Sequence, residues 1–395
     1  MNHTIRTEQK FYGLDNLRAF AIIFVLLFHY NRWVEHPAWF PKAFLYSWTG
    51  VDLFFVLSGF LIASQLFGQM KKEGSFSIRE FYIKRFFRIL PIYYFVLAVY
   101  FLFPFFSDDF GKGQMLPPLW KFLTFTQNFA TDYPHHRSFG MVWSLCVEEH
   151  FYLLLPVTLL LLLRTGWFKK SYWLLAILFL AGFLIRWYLW YTIAPFQSTE
   201  LAFKYLWVET IYLPTYCRLD GLLTGVAIAA LYNYLPALFS GLIKYANGMI
   251  VSGAIIFISS FFVIGNDYNF IRGVFGFPMV SIGFGLLVFG AIMPGSVLYR
   301  WKSAVLTKMA ELSYALYLIH MAVILSVQTL FARLGMAKNS NVVFLLSMVS
   351  CIAVALVLHY SIEKPFMKMR KRFLKPATNP GPLLPEPEAL TIQAS

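Results

Sequence analysis

Long apolar runs recur along this chain, each followed by a short segment rich in basic or polar residues. A run of about 20 apolar residues suffices to cross the hydrocarbon core of a bilayer as a helix. Within that core the backbone N–H and C=O groups need partners inside the segment, and a helix supplies them. Ten such spans can be read: 14–34, 48–69, 86–106, 141–163, 171–191, 211–232, 248–264, 274–293, 309–332 and 342–362. The predicted fold is therefore all-α, a polytopic integral membrane bundle of about ten transmembrane helices. Composition agrees, since only 13% of residues are charged, against about a quarter in soluble domains. Residues 1–375 are expected to form one membrane-embedded domain, and the Pro-rich 376–395 a disordered cytoplasmic tail. The stretch 117–130 is apolar and aromatic but too short to span, so it is expected to be interfacial or re-entrant.

Charge sets the expected orientation. With ten spans, the loops and termini of one face hold 21 Lys and Arg, and those of the other hold nine. Basic residues gather on the cytoplasmic side, so both termini are predicted there, in a multi-pass protein of the inner (plasma) membrane. The net charge of +14 is absorbed by this asymmetry. Nucleic acid is not expected as a partner, because no soluble basic domain is present to hold it; the lipid bilayer is. Cys146, Cys217 and Cys351 all fall in apolar segments without metal-ligand spacing, so neither a disulfide framework nor a metal site is expected. No cleavage site follows the first apolar run, and no signal peptide is predicted.

Against this background the ionisable residues inside spans stand out, since burying them in lipid is costly and usually functional. Arg18 and His29 share the first span. Their spacing is about three turns, which puts them on nearly one face, about 16 Å apart along the axis. Counting inward from the span ends places His29, Asp52, Glu148, Glu149, Arg218 and Asp220 about 6–14 Å below the outer surface. One shared polar cavity opening outward would account for such a layer; a helix-gluing polar network is the other reading. In the cavity reading, a neutral His29 can take a proton from an alcohol, with Glu148 or Glu149 orienting its ring. On the inner side, Lys84, Arg85 and Arg88 share a broad helix face. They suit either ordinary membrane anchoring or the phosphates of a cytosolic cofactor. Ser313, Tyr317 and His320 share another face, as helix contact or substrate contact, and His359 with Glu363 reads as a structural pair.

These residues resemble the acyltransferase-3 family of membrane O-acyltransferases, whose members modify surface polysaccharides and some small molecules. The resemblance runs from Leu14 to about Phe366. The family's arginine-x10-histidine motif matches Arg18 and His29, and its F-F-x-x-S-G-F motif matches Phe54 to Phe60. Its R-x-x-R matches Arg85 and Arg88, and its W-S-L-x-x-E-x-x-x-Y matches Trp143, Ser144, Glu148 and Tyr152. "RLDG", "SYALYLIH" and "IEKP" also look like family features. Asn16 departs from the pattern, standing where the family often has glycine.

The resemblance implies an acyl-CoA donor, acetyl-CoA by default, on the cytoplasmic side, with no metal. The implied acceptor is a hydroxyl of a carbohydrate or small molecule on the extracytoplasmic side. Lys84, Arg85 and Arg88 would hold the cofactor, and His29, Glu148 and Arg18 would form the catalytic set. Arg218 would stabilise the oxyanion. Asp52, Ser58, Glu149, Tyr152, Asp220, Tyr317 and His320 would complete the substrate site. Some relatives carry a fused extracytoplasmic hydrolase-like domain. Only the tail follows the tenth span here, so this chain is expected to act alone or with a separate extracytoplasmic transferase. A proton-coupled transporter or flippase is the rival reading, since intramembrane His, Glu and Asp also build proton relays. No internal repeat of the kind many transporters show is visible.

Overall fold

A computed structural model describes residues 11–107, 115–197, 200–265 and 268–374. The expected tail lies outside the described residues. Among them the fold is all-α, without strands. Ten principal helices carry it: α1 (Tyr12–Trp33), α2 (Gly50–Glu73), α3 (Ile78–Leu102), α4 (Trp143–Arg164), α5 (Ser171–Ile193), α6 (Asp220–Tyr234), α7 (Ala246–Ile264), α8 (Phe277–Ile292), α9 (Ala304–Arg333) and α10 (Asn341–Leu358). Nine helical segments among the described residues are long and apolar enough to cross a membrane.

The exception is α6, expected as a continuous span over 211–232. The chain instead runs through a π-turn (Val208–Tyr212), an extended Pro214 and a short 3₁₀ turn before α6 starts at Asp220. Proline lacks an N–H and cannot continue the helical ladder, and the chain turns extended at Pro214. What remains is a helix of 15 residues at the centre of the bundle. Its Gly221 and Gly225 face α2, where an added Cβ would collide with Phe55 and with the Val56 carbonyl; a Cβ on Gly59 would collide with the Leu222 carbonyl. Small residues four apart let two helix backbones approach closely. Bulky side chains on α5 and α7, such as Leu184, Tyr188 and Phe262, are exposed, as expected of helices facing lipid.

Contacts between helix ends define two faces. The start of α1 meets the end of α6 through Phe11 and Tyr232, and Asn16 donates to the Trp301 carbonyl just before α9. This is the basic face, bearing the Lys- and Arg-rich loops. On the far face, Trp39 after α1 donates to Asn341 at the start of α10. The stretch 117–130 does not span. It forms one short helix (Leu119–Leu123) and then turns back, with Lys121 Nζ donating to the carbonyls of Phe129 and Ala130. Asn128 Nδ2 donates to the Leu213 carbonyl and to Thr215 Oγ1, so this loop docks on the break before α6.

Candidate active site

Two cavities enter the bundle from opposite faces. The basic-face cavity, about 690 Å³, lies among α1, α2, α3, α4 and α9. The far-face cavity, about 440 Å³, is walled by the outer ends of α1 and α9, the loop 115–142 and the segment before α6. Val51 and Tyr317 line both, so the two meet there back to back. The Tyr317 hydroxyl is pinned between Ser144 Oγ, at 2.5 Å, and the Met141 carbonyl.

This geometry corrects the expected single layer. His29 lines the far-face cavity, whereas Glu148 lines the basic-face cavity. The depth estimate assumed that α4 begins at the membrane surface. In fact its first turn lies inside the bundle under the loop 115–142, with Phe139, Val142 and Phe122 all buried. Glu148 therefore sits deeper than counted and does not orient His29. Its carboxylate accepts from Ser58 Oγ at 2.8 Å and from Tyr152 at 3.0 Å. Glu149 lies beside it with one carboxylate oxygen buried and without a hydrogen bond, and lines neither cavity.

Asp52, Arg218 and Asp220 also leave the expected site. Arg218 pairs with Asp52 at 2.8 Å, and Arg186 of α5 grips Asp220 through two nitrogens at 2.7 and 3.0 Å. All four are buried, and none lines either of these two cavities. They tie α2, α5 and α6 together where α6 restarts, the helix-gluing role. Arg218 also lies over the Phe277 and Tyr212 rings, at 3.8 and 4.7 Å. Arg186 lies inside the fifth span and was missed in the sequence, although the rule for charges within spans applies to it.

The basic cluster assembles as expected and gains members. Lys84, Arg85 and Arg88 line the basic-face cavity, joined by Arg18. Arg85 donates to Gln65 Oε1 at 3.3 Å and lies over the Tyr152 ring at 5.7 Å. Gln65, Tyr314 and Arg370, which sequence reasoning missed, complete this wall. Gln65 and Gln69, one turn apart on α2, were the available signal; Arg370 was hidden among anchoring charges.

The far-face cavity is aromatic. Trp48, Trp143, Tyr133, Tyr205, Tyr212 and Tyr268 line it, and cations lie over several of their rings. Arg137 sits 5.6 Å from both Tyr133 and Tyr205, and Arg272 sits 5.0 Å from Trp48. In the loop at its mouth, burial pushes the Tyr133 hydroxyl up to about 12, so it keeps its proton at neutral pH. Hydrogen bonds from His135 and His136 hold the exposed Asp132 carboxyl below its ordinary range.

The His29 ring is held in one tautomer. Its Nδ1 lies 2.8 Å from the Val25 carbonyl, which can only accept, so Nδ1 carries the proton of the neutral ring. The Nε2 lone pair is left to act as a base. The His320 ring packs edge-on against His29, with centroids 4.7 Å apart. His320 is fully buried, directs Nδ1 to the Leu316 and Tyr317 carbonyls, and lines neither cavity. Among the described residues no His, Cys, Asp and Glu group could hold a metal ion.

The fold is a polytopic helical bundle entered by cavities from two faces. Residues 11–360 match the acyltransferase domain of the acyltransferase-3 family, and the chain belongs to that family. It is similar to peptidoglycan O-acetyltransferase OatA of Listeria monocytogenes, with 31% identity over 59% of this chain and 36% of that protein. It is also similar to O-acetyltransferase OatA of Staphylococcus aureus, with 27% identity over 90% of this chain and 57% of that protein. The chain thus spans between about a third and three fifths of the length of these relatives. No solved structure matches it.

Proposed function

We propose that this protein is a membrane O-acyltransferase that moves an acyl group, acetyl by default, from acyl-CoA to a hydroxyl of a carbohydrate acceptor. The meeting of the two cavities at Val51 and Tyr317 carries the reading, since each face then contributes one substrate. Arg18, Lys84, Arg85 and Arg88 suit the phosphates of the donor, because guanidinium forks pair with phosphate oxygens. The rings of the far-face cavity suit the apolar face of a sugar. The names of the relatives, both O-acetyltransferases, point the same way. The basic face is then cytoplasmic, with both termini, and the membrane is the plasma membrane.

In the reaction, His29 Nε2 takes the proton of the acceptor hydroxyl as its oxygen attacks the thioester carbonyl. The new C–O bond forms, the C–S bond breaks, and the imidazolium returns the proton to the departing thiolate. Glu148, hydrogen-bonded to Ser58 and Tyr152, holds the wall along which the acyl arm lies.

The test uses inside-out membrane vesicles loaded with glycan acceptors in the lumen, with radiolabelled acetyl-CoA added outside. Wild type is expected to move label into the glycan fraction. His29→Ala should lower that transfer by at least about 100-fold, the usual worth of a general base, at unchanged membrane insertion. Full transfer by the variant would remove His29 from the chemistry.

A further inference from the structure

The basic-face cavity has one wall that the family match does not reach. Residues 11–360 are matched, yet Arg370 lines this cavity together with Arg18, Lys84, Arg85 and Arg88. Local chemistry explains how it gets there. After α10 the helix loosens into a π-turn, His359–Glu363, in which the Lys364 N–H bonds to the His359 carbonyl. Pro365 follows, and its missing N–H cannot continue the regular helical ladder. His359 and Glu363, both buried, lock the turn through a 2.8 Å hydrogen bond. A short helix (Lys364–Met369) then crosses against α3, and Phe373 packs on Phe87 with ring centroids 5.2 Å apart.

This strap fixes Arg370 opposite the basic turns of α3. Its Nε is buried without a hydrogen-bond partner, whereas the neighbouring Lys371 and Arg372 are exposed. A guanidinium N–H taken out of water and left unpaired is costly. An anionic ligand entering the cavity would satisfy it.

We infer that Arg370 is a further donor-binding residue, holding the phosphate of acyl-CoA most distant from the acyl group. This rests on the donor assignment proposed above. The acyl end must reach the deep part of the cavity, where Val51 and Tyr317 border the far-face cavity. Arg370 belongs to the opposite, basic-face end, beyond the membrane-spanning part of α10. In coenzyme A the thioester lies at one end and the ribose 3′-phosphate at the other. Arg370, contributed by the strap, is assigned the 3′-phosphate, and Arg85 and Arg88 on α3 the diphosphate.

The experiment measures KM and kcat of the full chain in proteoliposomes with acetyl-CoA and with acetyl-dephospho-CoA, which lacks that one phosphate. Arg370→Ala should raise KM for acetyl-CoA about tenfold, the loss of one charge-assisted contact, with kcat unchanged. With acetyl-dephospho-CoA, wild type and variant should be alike. Arg370→Lys should keep part of the affinity, and Arg372→Ala should change neither KM. An unchanged KM for acetyl-CoA, or an equal rise with both donors, would overturn the assignment of the 3′-phosphate to Arg370. A wild type that uses neither donor would instead defeat the acyl-CoA reading itself, and this inference with it.

Discussion

The two cavities are built from different materials. The basic-face cavity draws its cations from regular helix positions: Arg18 on α1, and Lys84, Arg85 and Arg88 on adjacent turns of α3. The far-face cavity draws its rings mainly from irregular segments: Trp48 from a 3₁₀ turn, Tyr133 from a loop, and Tyr212 from the π-turn before α6. A cytosolic carrier with fixed phosphates calls for fixed charges on rigid helices. Acceptor preference is more readily varied on loops carried by that scaffold. Under the proposed function, the helix-borne half holds the donor and the loop-borne half sets what is modified.

Three substitutions sharpen or break this contrast. The largest effect belongs to neither cavity. Arg218→Ala leaves Asp52 buried without its partner and should destabilise the fold by about 3–5 kcal/mol. A melting measurement in detergent should show it, and donor and acceptor use should fall together. Loss of only one of them, at unchanged stability, would return Arg218 to the reaction. Next, Arg85→Ala should raise the donor KM about tenfold and leave the acceptor KM unchanged. The smallest effect is expected at Tyr205, half-buried at the far-face cavity. Tyr205→Ala should raise the acceptor KM by about three- to tenfold, the worth of one aromatic contact, without touching the donor. If these two variants exchanged their effects, the assignment of the cavities would be reversed.

What the sequence made legible follows the same division. The length of apolar runs found nine of the ten expected spans, and helical spacing put Arg85 and Arg88 on one face, because both depend on residues close in sequence. The motif residues Ser58, Glu148 and Tyr152 do meet, through hydrogen bonds to one carboxylate. The pairing of His29 with Glu148 was misread because depth was counted from helix ends, and the end of α4 is buried rather than at the surface. Asp52 and Arg218 looked like site residues because a charge inside a span suggests function. Their partners lie 166 positions apart in sequence, and no local pattern shows such a pair. The aromatic rings of the far-face cavity went unread, since only the fold of the loops reveals that they surround a space.

The central claim is that donor and acceptor reach the reaction from opposite faces. Sealed vesicles of both orientations, with membrane-impermeant acetyl-CoA added only outside, test it most directly. Acyl transfer is predicted when the face bearing Arg85 and Arg370 is turned outward, with the label appearing on acceptor enclosed in the lumen. No transfer is predicted in the opposite orientation. Equal transfer in both orientations, or transfer only when the His29 face meets the donor, would contradict the account.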